Sequence, residues 1–273
     1  MAPPTFSTLT VTLAEGIAEV HLNRPDKSNA MNEAMWQEIR QAFDWVDATP
    51  AARVAILSGA GKNFCAGIDL SMLVSIQQDI AHADGARSRE SLRRLILDLQ
   101  DCLSSIERCR KPVLAVIQGA CVGGALDMVS CCDMRYATDD AVFAIKEIDL
   151  AMIADVGTLQ RLPHLIGEGL MRELAYTGRD IGAAEAEKIG LINQKFRSIE
   201  TLTATVRELA QTIAAKSPLA IRGLKEVMNY NRDHSLADGL NHVATLNAAQ
   251  LLSADLNECI NAQRERRMPK HSD

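Results

Sequence analysis

Hydrophobic and polar residues alternate near the start of the chain, over residues 8–13 and 17–22, with Glu15-Gly16 between the two runs. This alternation predicts a β-hairpin. Asn32 then precedes a segment whose apolar residues recur at helical spacing, which predicts an amphipathic helix with Asn32 as its N-cap. The apolar face of that helix consists of Trp36, Ile39, Phe43 and Val46.

Short apolar runs alternate with amphipathic segments through the middle of the chain. Residues 54–57 and 113–117 are predicted to be buried strands, and a long amphipathic helix precedes the second one. Another helix is predicted from Gly123-Gly124 to about Cys132, followed by strands at 134–137 and 143–145. Strands that alternate with helices predict an α/β fold. The long helix is marked by Leu92, Leu95, Ile96, Leu99, Leu103 and Ile106.

The pattern changes after about Ile199, where strand-like runs stop and amphipathic helices follow one another. No Gly/Ser-rich linker separates this part, so its apolar stripes must be buried on the rest of the chain or on another subunit. We therefore predict two regions. Residues 1–198 form the α/β core with the functional site, and residues 199–273 form a helical region that mediates trimerisation.

The composition indicates an ordinary globular protein. Of its 273 residues, 47% are hydrophobic and 23% are charged, and the formal net charge is −6. A negative charge without a long Lys/Arg cluster disfavours nucleic acid as a partner. No uninterrupted apolar run is long enough to cross a bilayer, so no membrane association is expected either.

Cofactor and targeting motifs are missing from the sequence. The seven cysteines lack zinc-type spacing and are expected to be reduced thiols. Phosphate-loop, dinucleotide-binding, serine-elbow and His-pair zinc motifs do not occur, so neither a metal nor a nucleotide cofactor is expected. The first residues resemble no leader, and Lys270-His-Ser-Asp273 is not a peroxisomal signal, so we expect a cytoplasmic location.

Two glycine-containing turns lie where a strand is expected to meet a helix. Backbone N–H groups at such a junction have no intrahelical acceptor and favour anions, so one group from each turn could bind a single developing oxyanion. Taken singly, either turn is also compatible with tight packing alone. The turns are Phe64-Cys-Ala-Gly-Ile-Asp-Leu70 and Gly119-Ala-Cys-Val-Gly-Gly-Ala-Leu-Asp127.

Three carboxylates, Asp127, Glu147 and Asp155, stand among small and apolar neighbours. Burial raises the pKa of a carboxyl group and makes it a competent proton donor and acceptor near neutral pH. The structural alternatives are that Asp127 caps a helix or lies in its first turn, that Glu147 is a solvated edge-strand residue, and that Asp155 caps a helix near Gly157. The residue pattern leaves both interpretations open.

Six runs, in order along the chain, together resemble the enoyl-CoA hydratase/isomerase (crotonase) superfamily. The resemblance covers essentially the whole chain and implies a spiral of strand-strand-helix repeats, a homo-trimer or hexamer, and an acyl-CoA thioester substrate with no further cofactor. Besides the two turns, the runs are Asn23-Arg-Pro-Asp-Lys-Ser-Asn-Ala-Met-Asn32, Cys132-Asp-Met-Arg135, Lys146-Glu-Ile-Asp149 and Gly157-Thr-Leu-Gln-Arg-Leu-Pro163.

The resemblance also implies roles for the two turns. By position, the N–H groups of Ile68 and Gly124 would form the oxyanion hole for the thioester carbonyl, and residues 27–30 would border the CoA pocket. The residues implied to bind the substrate are Ala66, Gly67, Ile68, Asp69, Leu70 and Gly124.

Within the superfamily, the three carboxylates resemble the dienoyl-CoA isomerase subgroup, which acts in fatty acid β-oxidation. Hydratases typically have a glutamate at position 127 and a glycine at position 155, whereas this chain has aspartates there. Ala125 also departs from a common third glycine. The resemblance implies isomerisation of 3,5-dienoyl-CoA to 2,4-dienoyl-CoA, in which Glu147 removes a C2 proton, Asp155 protonates C6, and Asp127 tunes or holds Glu147.

Two other functions remain open. An enoyl-CoA hydratase would use Asp127 and Glu147 to add water to a 2-enoyl-CoA, although Asp155 argues against this reading. A non-catalytic or RNA-binding homologue would keep the fold alone, but three retained carboxylates and a negative net charge disfavour it.

Overall fold

The computed structural model describes residues 2–80 and 84–273, without the side chains of Gln77 and Asp79. Its strands are β1 (Leu9–Ala14), β2 (Ile17–Leu22), β3 (Val54–Gly59), β4 (Val113–Ile117), β5 (Ala120–Val122), β6 (Met134–Thr138), β7 (Val142–Ala144), β8 (Ile181–Gly182) and β9 (Gln194–Phe196). Its α-helices are α1 (Glu33–Ala48), α2 (Leu70–Asp79), α3 (Gly85–Arg108), α4 (Gly124–Ser130), α5 (Thr158–Arg161), α6 (Pro163–Ile166), α7 (Glu168–Thr177), α8 (Ala183–Lys188), α9 (Ile199–Ala214), α10 (Pro218–Asp233), α11 (Leu236–Gln250) and α12 (Ala254–Glu265). Single 3₁₀ turns occur at Pro25–Lys27 and Glu147–Leu150.

The strands form two sheets. The larger has the order β1-β2-β3-β4-β6-β9, with β1 and β2 antiparallel and the other neighbours parallel. The smaller has the order β5-β7-β8, with β5 and β7 parallel. The chain therefore passes from β4 in the larger sheet to β5 in the smaller sheet and then into α4. This is the strand-strand-helix repeat that the sequence resemblance implies.

Local sequence signals account for several element boundaries. The predicted hairpin is β1-β2, in which Leu9 pairs with Leu22. Helix α1 begins after Asn32, whose side chain accepts a hydrogen bond from the Met35 N–H at 3.0 Å, as expected for an N-cap. The helix predicted from Gly123-Gly124 ends at Ser130, two residues before the predicted end.

Helices cover both faces of the larger sheet. On one face, α1 and α3 bury apolar side chains such as Trp36, Phe43 and Leu103. On the other face, α9 packs Leu202 and Val206 against the sheet. Parallel strands covered on both faces are apolar along their whole length, as β4 is.

The helical region begins at α9, and its next helix is fixed to the core by a buried cation. Lys225 of α10 contacts the Asp133 carboxylate at 2.7 Å and the Lys111 carbonyl oxygen at 3.1 Å. Large apolar side chains remain exposed further along, including Leu236 at 80% and Leu252 at 90%. Within residues 2–80 and 84–273, no helix has the length and apolarity needed to span a membrane.

Candidate active site

Two turns run side by side where the chain leaves β3 and β4. Cys65 pairs with Cys121 in an isolated parallel bridge, and the Val122 N–H donates to the Cys65 carbonyl oxygen at 3.3 Å. Gly67 has a φ of +88°, and a Cβ there would lie 2.8 Å from the Val122 carbonyl oxygen and 3.4 Å from the Gly124 nitrogen. Because a side chain would block this approach, glycine at 67 permits the two turns to touch.

The backbone N–H of Ile68 points away from the neighbouring segment. The Met31 N–H donates to the Gly67 carbonyl oxygen at 2.8 Å, and the Asp69 N–H donates to the Met31 carbonyl oxygen at 3.0 Å. Successive residues of an extended segment direct their backbone groups to opposite sides. The Ile68 N–H is therefore directed to the side away from Met31, where a bound acceptor can reach it.

Gly124 supplies a second N–H of the same kind. It is the first residue of α4, a helix with no side-chain cap, and the first N–H groups of a helix have no intrahelical acceptor. The preceding Gly123 has a φ of +56°, and its N–H donates to the Ala144 carbonyl oxygen at 2.9 Å. This bond ties the start of α4 to the end of β7, immediately before the segment that carries Glu147.

Ile68, Gly124 and Glu147 line one cavity of about 520 Å³, here called the Glu147 cavity. Glu147 begins the 3₁₀ turn after β7, and a Cβ on Gly123 would lie 3.2 Å from its Oε1. Its Oε2 is buried without a hydrogen-bond partner in the described part of the chain. The residues predicted to bind substrate line the same cavity, namely Ala66, Gly67, Asp69 and Leu70, as do Lys27 and Ala30.

Asp127 is fully buried in the first turn of α4. Its Oδ1 accepts a hydrogen bond from the Thr158 N–H at the start of α5, while its Oδ2 has no partner within the described residues. Burial raises the pKa of Asp127 to about 6, although the Thr158 N–H and the charge of Arg161 oppose this rise. Asp127 thus lies in the first turn of one helix, as the structural alternative proposed, and its side chain also binds the first N–H of the next helix, while its Oδ2 has no partner within the described residues.

Asp155 lies on the turn before α5, and it is exposed in the single chain. It lines a second cavity of about 330 Å³, here called the Asp155 cavity, between α3, α5 and α10. The side chains around this cavity include Gln100, Glu107 and Arg161. Gly157, and not Asp155, is the N-cap of α5, and the first N–H of the helix is bound by Asp127, so the alternative in which the Asp155 side chain caps this helix is wrong.

The three carboxyl groups influence one another's protonation. Burial, and next the charge of Asp127, raises the pKa of Glu147 to about 7, and the charge of Asp155 acts in the same direction. Although Asp155 reaches solvent, the protein around it removes part of its hydration and so raises its pKa, and its charge in turn raises the pKa of Asp127. Coupled groups of this kind share protons, so the cluster retains a proton up to nearly neutral pH.

The three predicted carboxylates do not all lie in one cavity. Glu147 lines the same cavity as the N–H groups of Ile68 and Gly124, and the charge of Asp127 raises its pKa. Asp155 lies in the second cavity instead. Burial, expected for all three, is complete for Asp127 and partial for Glu147, whereas Asp155 is exposed because its turn lies at the surface. The edge-strand alternative for Glu147 is wrong, because the residue belongs to a 3₁₀ turn.

Three residues that shape this site have no role in the sequence-based interpretation. Thr158 and Arg161 belong to the run 157–163 that carried part of the family resemblance, so a signal was present but no role was assigned. Gln100 is one polar residue on a long amphipathic helix. Only the folded chain shows that it reaches the Asp155 turn.

Comparison with known families supplies the assignment. The family model described as enoyl-CoA hydratase/isomerase matches residues 12–273. The chain belongs to this family. The family resemblance predicted from the sequence is therefore confirmed, and members of this family act on acyl-CoA thioesters.

Individual relatives agree with the family assignment. The chain is 46% identical over 250 residues to the peroxisomal Delta(3,5)-Delta(2,4)-dienoyl-CoA isomerase of Arabidopsis thaliana, covering 91% of this chain and 90% of that protein. It is 42% identical over 262 residues to the mitochondrial Delta(3,5)-Delta(2,4)-dienoyl-CoA isomerase of Homo sapiens, covering 95% and 80%. A crystal structure of an enoyl-CoA hydratase from Bacillus anthracis superposes with a TM-score of 0.88 at 30% identity, covering 97% and 99%. The predicted crotonase fold and the prediction of an isomerase enzyme are confirmed.

Proposed function

We propose that this protein isomerises 3,5-dienoyl-CoA thioesters to the conjugated 2,4-dienoyl-CoA. The observation that carries the proposal is the arrangement of two carboxyl groups in two cavities. Glu147 lines the same cavity as the N–H groups of Ile68 and Gly124, and Asp155 stands in a second cavity, from which its charge raises the pKa of Glu147. The names of the relatives at 42% and 46% identity support the same reaction.

The chemistry begins with a proton at C2, which lies between a thioester and a diene. Removing it produces a dienolate whose negative charge spreads over the thioester oxygen, C2, C4 and C6. The N–H groups of Ile68 and Gly124 would stabilise the oxygen end, and such a donor is worth roughly 10²- to 10³-fold in rate. The Oε2 of Glu147 has no hydrogen-bond partner within the described residues, and this carboxylate would accept the C2 proton.

Completion of the reaction requires a proton at C6, at a distance along the acyl chain from C2. One carboxyl group cannot easily serve both ends, and Asp155 offers a second group outside the Glu147 cavity. Asp127 would raise the pKa of Glu147 by its charge and fix the start of α5 by its hydrogen bond. General acid and base assistance of this kind is worth roughly 10²- to 10⁴-fold.

The test is a spectrum of the purified protein mixed with 3,5-octadienoyl-CoA. We expect growth of the 2,4-dienoyl chromophore at a rate proportional to enzyme concentration. A matched Glu147→Gln protein serves as the control, because it should bind the thioester without the reaction. Failure of the wild-type protein to produce the chromophore would contradict the proposal.

A second candidate function is hydration of 2-enoyl-CoA, and the fold match to a protein named enoyl-CoA hydratase favours it. In that reaction Asp127 and Glu147 would place a water molecule for addition, and Asp155 would have no evident use. Crotonyl-CoA separates the two functions. A hydratase removes its enoyl absorbance, whereas a dienoyl isomerase should leave it nearly unchanged.

We further propose that the chain self-associates through its helical region and uses no bound cofactor. The exposed side chains of Leu236, Leu240 and Leu252 would be covered by a neighbouring subunit. Light scattering of the purified protein is expected to give the mass of three or six chains. A monomer at micromolar concentration, or activity that chelators abolish, would contradict this part of the proposal.

A further inference from the structure

The turn that carries Asp155 has little regular structure of its own. Residues 152–157 belong to no helix or strand, so hydrogen bonds from other elements must fix their backbone. The Nε2 of Gln100, on α3, donates to the Asp155 carbonyl oxygen at 2.6 Å. Further along, the Asp127 carboxylate accepts from the Thr158 N–H. These bonds fix the turn at both sides of Val156.

Arg161 holds the middle of the same turn. Its Nη1 lies against Gly157, where a Cβ would be 1.7 Å away, and donates to the Val156 carbonyl oxygen at 3.5 Å. Its Nη2 donates to the Ser104 Oγ at 3.0 Å. The side chain therefore crosses from α5 over the turn to α3. Gly157 has a φ of +133°, so only glycine fits both the conformation and the space.

Glu107 fixes the position of the Arg161 guanidinium group. Its Oε2 accepts from the Arg161 Nε at 3.3 Å and Nη2 at 3.1 Å, and the two side chains are only 17% and 14% exposed. Its other oxygen accepts from Arg232 of α10. A charge-assisted pair with little competing water keeps a guanidinium group in one orientation. The turn is thereby connected to α3 and to the helical region.

We propose that Gln100 and Arg161 are positioning residues that place the Asp155 carboxyl group for proton delivery to C6, an inference that rests on the proposed function. Both side chains bind backbone atoms of the Asp155 turn. Glu147, by contrast, is held on a separate 3₁₀ turn tied to β7 and α4. Loss of either positioning residue should therefore impair the C6 step and spare the C2 step.

This selectivity distinguishes positioning from general destabilisation. A displacement of about 1 Å at a catalytic group can cost roughly 10²-fold in rate. A protein that is merely less stable loses active molecules, so that C2 exchange and product formation decline together. A displaced Asp155 lowers product formation alone, which changes the ratio of the two rates.

The experiment measures both rates in deuterated solvent with 3,5-octadienoyl-CoA. Mass spectrometry of recovered substrate reports exchange at C2, and absorbance reports product. Gln100→Met keeps the length of the side chain and removes the donor. We expect product formation to fall on the order of 10- to 100-fold, with exchange changed by less than about 3-fold.

Three companion proteins complete the test. Arg161→Lys keeps the positive charge but loses the fork of donors, and it should show the same selective loss as Gln100→Met. Gln211→Met changes an exposed glutamine of α9 that lines neither of the two cavities, and both of its rates should equal those of the wild type. Asp155→Asn shows what complete loss of the acid does to the ratio.

The outcomes separate this inference from the function on which it rests. The inference is supported if the Asp155→Asn protein exchanges C2 protons without forming product and the Gln100→Met protein has a ratio of product formation to exchange between those of Asp155→Asn and the wild type. If Asp155→Asn changes the ratio and Gln100→Met does not, the inference is wrong and the proposed function stands. If Asp155→Asn forms product at the wild-type rate, the proposed function is wrong and the inference fails with it.

Discussion

The Glu147 cavity and the Asp155 cavity hold their carboxyl groups in different ways. Around Glu147, glycines allow backbone segments to pack closely, and the carboxylate lies against Gly123. Around Asp155, an exposed turn is fixed by long polar side chains from other elements. The first cavity is therefore built from backbone, and the second from side chains that connect the turn to α3, 54 or more residues away in sequence.

Because the two cavities are built differently, amino-acid substitutions around Glu147 and around Asp155 should reduce activity in different ways. A site made of closely packed backbone tolerates almost no added atoms, so substitutions there should abolish the chemistry outright. A site held by side-chain hydrogen bonds loses precision by degrees, because each bond contributes roughly 0.5–1.5 kcal/mol. The two cavities should thus respond to substitution on different scales.

The largest expected effect is at Glu147 itself. Glu147→Gln keeps the shape of the side chain but cannot accept a proton, so isomerisation should fall by about 10²- to 10⁴-fold. Binding of the acyl-CoA should stay within about 3-fold of the wild type, as measured by calorimetry with an unreactive thioester. A Glu147→Gln protein that retains most of its turnover would remove Glu147 from the role of base.

Removing one backbone donor should come next in size. Ile68→Pro deletes an N–H from the Glu147 cavity, and we expect a loss on the order of 10²-fold or more. Ile68→Val is the matched control, since it keeps the N–H and should be almost fully active. Because proline can also distort the turn, the comparison requires equal thermal unfolding of both variants. Normal activity of a folded Ile68→Pro protein would place the thioester oxygen elsewhere.

The burial of Asp127 should appear in the pH dependence of stability. Its folded-state pKa of about 6 exceeds the unfolded value, so its contribution to stability is present below about pH 4 and is lost as pH rises through 6. Asp127→Asn removes this loss and keeps an acceptor for the Thr158 N–H. The variant should therefore gain about 3 kcal/mol on the wild type between pH 4 and 8, measured by urea unfolding. A constant difference would show that burial does not raise this pKa.

A smaller effect is expected in the pH dependence of two rates, because isomerisation and C2 exchange should respond to pH in opposite directions. Isomerisation needs a proton on the acid, so it should decline as pH rises through about 7 and the cluster loses the proton that Glu147 shares. Exchange at C2 needs only an ionised Glu147. In the Asp155→Asn protein the rate of C2 exchange should rise over that pH range. The midpoint of this rise should lie at a somewhat lower pH, because the charge of Asp155 no longer raises the pKa of Glu147. Profiles of both rates that move in the same direction would contradict this division.

Much of the Glu147 cavity could be predicted from the sequence, because its parts are local. The turns 64–70 and 119–127 carry their glycines next to the groups they serve, and the hairpin and the N-cap Asn32 follow from neighbouring residues. In the smaller sheet, β7 was expected from the apolar run at 143–145, but β5 and β8 could not be predicted in the same way. β5 has three residues and β8 has two, which is too short for any periodic pattern.

The Asp155 cavity was less predictable for a different reason. Gln100 lies 55 residues from Asp155, and nothing about a glutamine on an amphipathic helix indicates which backbone atom it will reach. The exposure of Asp155 likewise depends on where its turn lies in the folded chain. The small and apolar residues around it in sequence predicted burial, but neighbours in sequence do not determine solvent exposure at a surface turn.

The assignment of Glu147 as the base and Asp155 as the acid is best examined with the Asp155→Asn protein in deuterated solvent. If Glu147 acts at C2 and Asp155 at C6, the variant should incorporate deuterium at C2 of recovered 3,5-octadienoyl-CoA at nearly the wild-type rate. It should form 2,4-dienoyl product on the order of 10²-fold more slowly. Product formation at the wild-type rate would contradict the role of Asp155 and return hydration of 2-enoyl-CoA to first place.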